Sequence, residues 1–188
     1  TIGSELTRQA ADLEPAQLIL VDNSEYNIYA IDLELAQRNP DQARAMRLAD
    51  VRDEPQMAAV FGEYHPQLVF HAAALKHGPI VEEHPGEGVL TNVTGSRVVA
   101  DLCLANDVDA MVLISTDKAV NPTSIMGATK RFAELLLQAY NGTENETRFC
   151  MVRFGTVLAS SGSVVPPFKE PILSGVPVPA LTPRTLPY

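Results

Sequence analysis

Ala110-Met111-Val112-Leu113-Ile114-Ser115-Thr116-Asp117-Lys118-Ala119-Val120-Asn121-Pro122-Thr123-Ser124-Ile125-Met126-Gly127-Ala128-Thr129-Lys130 is the stretch that decides the fold. It opens on an apolar run, Ala110 to Ile114, that reads as a buried strand. It closes on a helical pattern that continues through Phe132, Leu135, Leu136 and Ala139, which share one face. Thr116, Asp117 and Lys118 therefore fall at the carboxyl end of a strand, the edge where ligands bind in open α/β sheets. A hydroxyl, a carboxylate and an ammonium side by side supply a hydrogen-bond donor, an acid and a base. Met126 and Lys130 stand four apart and share a helix face.

Outward from this stretch, strand and helix patterns alternate. Gln17 to Asp22 reads as a short buried strand ending in a carboxylate. Glu25 to Arg38 is an amphipathic helix with Ile28, Ile31, Leu35 and Ala36 inward, stopped by Asn39-Pro40-Asp41. Arg44 to Ala49 is a weaker strand, Glu54 to Tyr64 a helix, and Gln67 to His71 another buried strand. Glu87 to Asn106 reads as one helix, with Val89, Val93, Val98, Val99, Leu102 and Cys103 apolar. Arg148 to Phe154 is the last clear strand, and Phe168 to Leu173 a short helix. This alternation predicts a parallel sheet with helices on both faces, a Rossmann-like doubly wound α/β fold. The chain opens inside a helix, at Thr1-Ile2-Gly3, with no strand before it. The expectation is a dinucleotide-binding unit that lacks its first strand and first glycines. From Gly175 periodicity stops and prolines crowd in, so residues 1–174 form the expected domain and 175–188 an irregular tail.

Composition bounds the partners. The 188 residues are 46% apolar and 20% charged, which is globular. With 14 basic and 23 acidic residues the net charge is −9, which disfavours nucleic acid and anionic membrane. A phosphorylated ligand stays compatible, because local dipoles and a few cations hold one. The two cysteines, Cys103 and Cys150, read as buried thiols. No signal peptide, apolar run of membrane-spanning length or metal-ligand pattern is read.

The run Ser115 to Pro122, followed by Met126-x-x-x-Lys130, resembles the active site of the nucleotide-sugar 4,6-dehydratases of bacterial polysaccharide and protein-glycan biosynthesis. These are CapD-like members of the extended short-chain dehydrogenase/reductase superfamily. Most of that superfamily carries Tyr-x-x-x-Lys, with the tyrosine moving a proton. Here Met126 holds that position, and a thioether neither donates nor accepts a proton at neutral pH.

The resemblance covers residues 1 to about 174 and implies a nicotinamide cofactor. Ile2 and Gly3 match the end of the family's glycine turn. Asp22, with Asn23 and Ser24 beside it, matches the carboxylate that binds the adenosine ribose hydroxyls about 20 residues later. A carboxylate there repels a 2′-phosphate, so NAD is favoured over NADP. Asp50 and Val51 match the adenine contacts, and Ala72, Ala73 and Ala74 the turn against the ribose and phosphates. Asn92 matches an asparagine that helps to position the active-site lysine, which is Lys130, holding the nicotinamide ribose. Lys76, His77, Arg153 and Thr156 fall where the family meets its sugar nucleotide. The usual residue at 156 is Asn, and a hydroxyl replaces one amide hydrogen bond, not two. His71 reads as a structural strand end.

The implied reaction is dehydration of a UDP-sugar, UDP-N-acetylglucosamine first. Asp117 would protonate the departing C6 hydroxyl, Lys118 would take the C5 proton, and Thr116 would bond the C4 oxygen. A clamp for a phosphate or sugar hydroxyl is the competing role for Lys118. A nucleotide-sugar epimerase is the second reading, weakened by the absent tyrosine. A cofactor-binding or subunit-interaction protein without turnover is the third. Without the first glycines and a substrate domain, the chain as it stands is expected to bind NAD(P) weakly and turn over little. A bacterial cytoplasmic location follows from the resemblance, with longer relatives anchored to the inner membrane. A homo-oligomer stays open.

Overall fold

The computed structural model describes residues 1–155; the expectations for Thr156, for the helix from Phe168 to Leu173 and for the tail lie outside them. Short polar residues start the helices. Thr1, Ser24, Asp53 and Ser124 each accept a backbone N–H from the first turn of α1 (Ile2–Asp12), α2 (Glu25–Arg38), α3 (Glu54–Tyr64) and α7 (Ile125–Asn141). Between the helices, the described residues form five strands, β1 (Leu18–Asp22), β2 (Arg44–Leu48), β3 (Leu68–His71), β4 (Ala110–Thr116) and β5 (Arg148–Phe154). All the strand pairings are parallel, as the alternation predicts.

β1 pairs with β2, and β3, β4 and β5 form a second ladder in that order. In a doubly wound sheet of order 3-2-1-4-5-6 these are strands 2, 3, 4, 5 and 6. A first strand would lie between β1 and β3, and no ladder joins them among the described residues. One core still spans both ladders. Val21 of β1, Val51 and Val69 of β3 pack on the same cluster as Met57, Phe61, Val98, Leu102, Met111, Leu113 and Leu137. Met111 and Leu113 are wholly buried, and each such side chain contributes roughly 1.5–3 kcal/mol.

Four local expectations are corrected. The reading from Glu87 to Asn106 is two short pieces and a helix. α5 (Pro85–Val89) passes through a π turn, Leu90–Thr94, into α6 (Gly95–Ala105), and a further short helix, α4 (Gly78–Glu83), precedes them. The apolar stripe of α7 points outward, with Phe132 58% and Leu135 46% exposed. Its buried face carries Met126, Thr129, Lys130, Ala133, Glu134 and Leu137. That face is half polar because it lies against the candidate site, so hydrophobicity alone picks the wrong side. Cys150 is exposed on β5, while Cys103 is buried as expected. Ala36 of α2 is exposed too.

Candidate active site

β4 ends at Thr116 in extended backbone and passes directly into a 3₁₀ turn, Asp117–Ala119. Thr116 Oγ1 accepts the Lys118 backbone N–H at 3.4 Å, and its hydroxyl donates to Asp117 Oδ1 at 3.0 Å. Lys118 Nζ donates to that same oxygen at 3.4 Å. Donor, acid and base candidates thus converge on one carboxylate. Partial burial opposes the Asp117 charge, but the Thr116 hydroxyl and the Lys118 ammonium outweigh it and hold the carboxyl below its ordinary value. The end of β5 closes in from the side: a methyl group on Gly155 would lie 3.8 Å from Asp117 Oδ2.

Helix α7 is pressed onto this turn at Gly127. Any side chain there would overlap the Lys118 carbonyl oxygen, so only glycine permits the approach. Met126, just before that glycine, and Lys130, about one turn after it, are both 5% exposed. Lys130 Nζ donates to the Ile114 carbonyl at 2.6 Å. Burial pulls its ammonium down to about 8, against the Glu134 carboxylate, which pulls the other way. Four residues further, Glu134 is wholly buried and accepts four hydrogen bonds. They come from Ser115 Oγ at 2.7 Å, Arg131 Nη1 at 2.9 Å, Arg153 Nε at 2.8 Å and Arg153 Nη2 at 2.7 Å. Glu134 and Ser115 were not singled out from sequence. The available signal was a carboxylate four residues beyond Lys130, on the same helix face. Arg153 is thereby tied to Glu134 through two of its three nitrogens.

Asn92 sits in the π turn and reaches both ways. Its Oδ1 accepts the Leu75 N–H at 2.8 Å, and its Nδ2 donates to Leu75 O at 2.9 Å and to Thr129 Oγ1 at 3.0 Å. It therefore ties the loop after Ala72, Ala73 and Ala74 to the residue next to Lys130. Lys76 and His77 follow on that loop, both exposed, with His77 at the start of α4. Behind the loop, His71 is buried against Ser96 Oγ at 3.0 Å.

The nucleotide side lies at the ends of β1 and β2. Asp22 Oδ1 accepts the Ser24 N–H at 2.8 Å and Asn27 Nδ2 at 3.3 Å. Asn23 Nδ2 reaches Asp50 Oδ2 at 3.5 Å. Arg52 holds the Asp50 carboxyl down to about 2 and also bonds Glu87, while Val51 packs on the core. Ile2 and Gly3 open α1, and a methyl group on Gly3 would lie 3.9 Å from Ala72 Cβ. The helix start and the alanine turn are thus neighbours, with small side chains where they meet. Among the described residues, no helix is long and apolar enough to cross a membrane.

Comparison with known proteins finds relatives in sequence and in fold. The chain is 42% identical over its whole length to the capsular polysaccharide biosynthesis protein CapD of Staphylococcus aureus, of which it covers 32%. It is 42% identical, over 68% of its length, to a UDP-N-acetylglucosamine 4,6-dehydratase (inverting) of Campylobacter jejuni, of which it covers 38%. Among solved structures, Pen from Bacillus thuringiensis superposes with a TM-score of 0.83 at 33% identity, over 92% of this chain and 54% of that one. The chain spans about a third of the length of these two sequence relatives. A family model described as polysaccharide biosynthesis protein matches residues 1–187, and the chain belongs to that family.

Proposed function

We propose that this chain carries the cofactor and catalytic part of a nucleotide-sugar 4,6-dehydratase acting on UDP-N-acetylglucosamine in polysaccharide biosynthesis. The observation that carries the reading is the turn after β4. There Thr116, Asp117 and Lys118 meet on one carboxylate oxygen, beside a helix with Met126 in place of a tyrosine. An epimerase needs to move only the proton and hydride at C4. Dehydration also needs an acid at C6 and a base at C5, and Asp117 and Lys118 provide that pair.

A nicotinamide dinucleotide fits the residues present. The small side chains of Gly3 and Ala72 to Ala74 leave backbone accessible, and the Asp22 carboxylate ends β1. Asp22 would bond the adenosine ribose hydroxyls, which favours NAD over NADP. Asp50 and Val51 would flank the adenine, and Lys130 would hold the nicotinamide ribose. Held there, the cofactor would supply a hydride acceptor for C4 of the sugar and a hydride donor for C6.

The chain's own groups move the protons. Thr116 bonds the C4 oxygen. Asp117, ionised in the free protein, takes the C4 hydroxyl proton that Met126 cannot take. It delivers that proton to the C6 oxygen, which leaves as water. Lys118 acts in its neutral amine form, removing the C5 proton to become an ammonium and later returning one to C5. Lys76, His77 and Thr156 are assigned to the sugar nucleotide, and Arg153, with Nε and Nη2 on Glu134, has only Nη1 left to offer it.

The test uses the protein at the length its gene encodes, with UDP-N-acetylglucosamine and NAD in deuterated water. The expected product is a 4-keto-6-deoxy sugar nucleotide bearing deuterium at C5. Lys118→Met is expected to abolish C5 exchange while still binding the sugar nucleotide. A 4-epimer formed without loss of water would contradict the reaction. A Lys118→Met variant that exchanges C5 at the parent rate and loses only affinity would make Lys118 a clamp.

A further inference from the structure

Two buried hydroxyls fix the direction of a hydrogen-bond chain that crosses the fold behind the site. Ser96 Oγ lies 2.7 Å from the Asn92 carbonyl oxygen and 3.0 Å from His71 Nε2. A carbonyl oxygen only accepts, so the single hydroxyl proton of Ser96 goes to Asn92. Ser96 can then only accept from His71, and Nε2 must carry a proton. The same count applies at Thr129. Its proton goes to the Met126 carbonyl at 2.8 Å, so it accepts from Asn92 Nδ2 at 3.0 Å.

We infer that His71 is a positioning residue: as a neutral Nε2–H donor it starts a one-way chain that holds the π turn and, through Asn92, sets the Ala72–Leu75 loop against the Lys130 helix. The π turn explains why such a device is needed. A wide turn interrupts the regular carbonyl ladder and is held in register by side chains. Here the Ser96 hydroxyl bonds back to the carbonyl of the residue four before it, a bond that bends helices. Asn92 lies within this turn, and both faces of its amide are committed, to Leu75 and to Thr129. A rotated Ser96 hydroxyl would release the carbonyl of the residue whose side chain joins loop and helix. Burial, with the Lys130 charge facing the same space, keeps the His71 ring neutral by pulling its pKa down to about 3.

The inference rests on the dehydratase reading only for why loop and lysine must be held together, and its test needs neither cofactor nor sugar. Long-range ¹H–¹⁵N spectra of the protein are expected to show His71 protonated at Nε2 alone, unchanged from pH 5 to pH 8. A ring protonated at Nδ1, or one that titrates in that range, overturns the inference. Amide hydrogen exchange supplies the second arm. The Leu75 N–H is protected by Asn92 Oδ1, whereas Leu113 lies in the β4 ladder. In His71→Leu and Ser96→Ala, Leu75 is expected to exchange about fivefold faster, the worth of one neutral hydrogen bond, with Leu113 unchanged. His71→Gln, whose amide still donates, is expected to restore most of the Leu75 protection. Equal loss in His71→Leu and His71→Gln, or Leu75 and Leu113 rising together, would make His71 mere packing and overturn the inference. Failure of UDP-N-acetylglucosamine turnover would leave both arms intact and count against the proposed reaction alone.

Discussion

Lys130 and Glu134 lie one turn apart on the same buried face of α7, and the protein treats their charges in opposite ways. Glu134 is met by four donors from β4, β5 and its own helix. Burial works against its charge, yet the Arg153, Ser115 and Arg131 bonds win and hold the carboxyl at about 2. Lys130 is met by one neutral acceptor, the Ile114 carbonyl, and burial wins, leaving its ammonium at about 8. A buried charge with a full set of matched partners is scaffold. A buried charge left short of partners sits near its titration point, which is the condition for chemistry. The contrast separates the part of α7 that fastens β5 to the sheet from the part that serves the site.

Removing the matched charge should have the largest effect. Glu134→Ala strands the Ser115 hydroxyl in the core and leaves two guanidinium groups without their carboxylate. A loss of about 3–5 kcal/mol is expected, the range for breaking a buried pair, read as the urea midpoint. A loss under about 1 kcal/mol would mean the arginines simply turn to water, and the contrast would fail.

The two charges should also act in opposite pH windows. The folded carboxyl of Glu134 lies below its unfolded value of 4.5. Its contribution is therefore complete above pH 4.5 and is lost as pH falls toward 2. The folded ammonium of Lys130 lies below its unfolded value of 10.5. Below pH 8 both states hold the proton, and the folded state carries the full desolvation cost. Between pH 8 and 10.5 the unfolded chain binds more protons, so stability rises, by about 3 kcal/mol in all. That alkaline rise should be missing from Lys130→Met, the control that isolates it from other titrating groups. Lys130→Met should itself be more stable at pH 7 by about 1–3 kcal/mol, and should lose turnover. A destabilised Lys130→Met would mean the Ile114 bond outweighs burial.

Much of the fold was legible because the apolar run of β4 and caps such as Ser24 and Asp53 leave strong local signals, although β3, read as a buried strand, leaves Leu68 and Phe70 about half exposed. The triple Thr116-Asp117-Lys118 was legible because its residues are adjacent and end an apolar run. The face of α7 was not. Phe132 and Leu135 look like core, and only tertiary packing decides that Lys130 and Glu134 go inward instead. The π turn was hidden for a related reason: Gly95 at its end is a lone glycine inside an otherwise helical pattern, which does not tell a π turn from a continuous helix. Glu134 was invisible as a clasp because its partners, Ser115 and Arg153, are brought to it by strand register, at sequence separations of 19.

The smallest expected effect falls at Thr129, the residue just before Lys130. Its hydroxyl accepts from Asn92 and donates to the Met126 carbonyl, and it is the bond that steadies the turn carrying Lys130. Thr129→Val keeps the shape and removes both bonds. One Asn92 proton is left buried without a partner, and the expected cost is about 1–2 kcal/mol. The consequence should be local. With its turn loosened, Lys130 gains water, and its titration midpoint, followed by ¹³C NMR at Cε, should rise from about 8 toward 10.5. Glu134 keeps all four donors in this variant, so the fall in stability between pH 4.5 and 2 should keep the parent's shape. If the substitution moves the acid limb as much as the Lys130 midpoint, the two ends of α7 respond as one unit. The division of the helix into a fastened half and a reactive half would then be wrong.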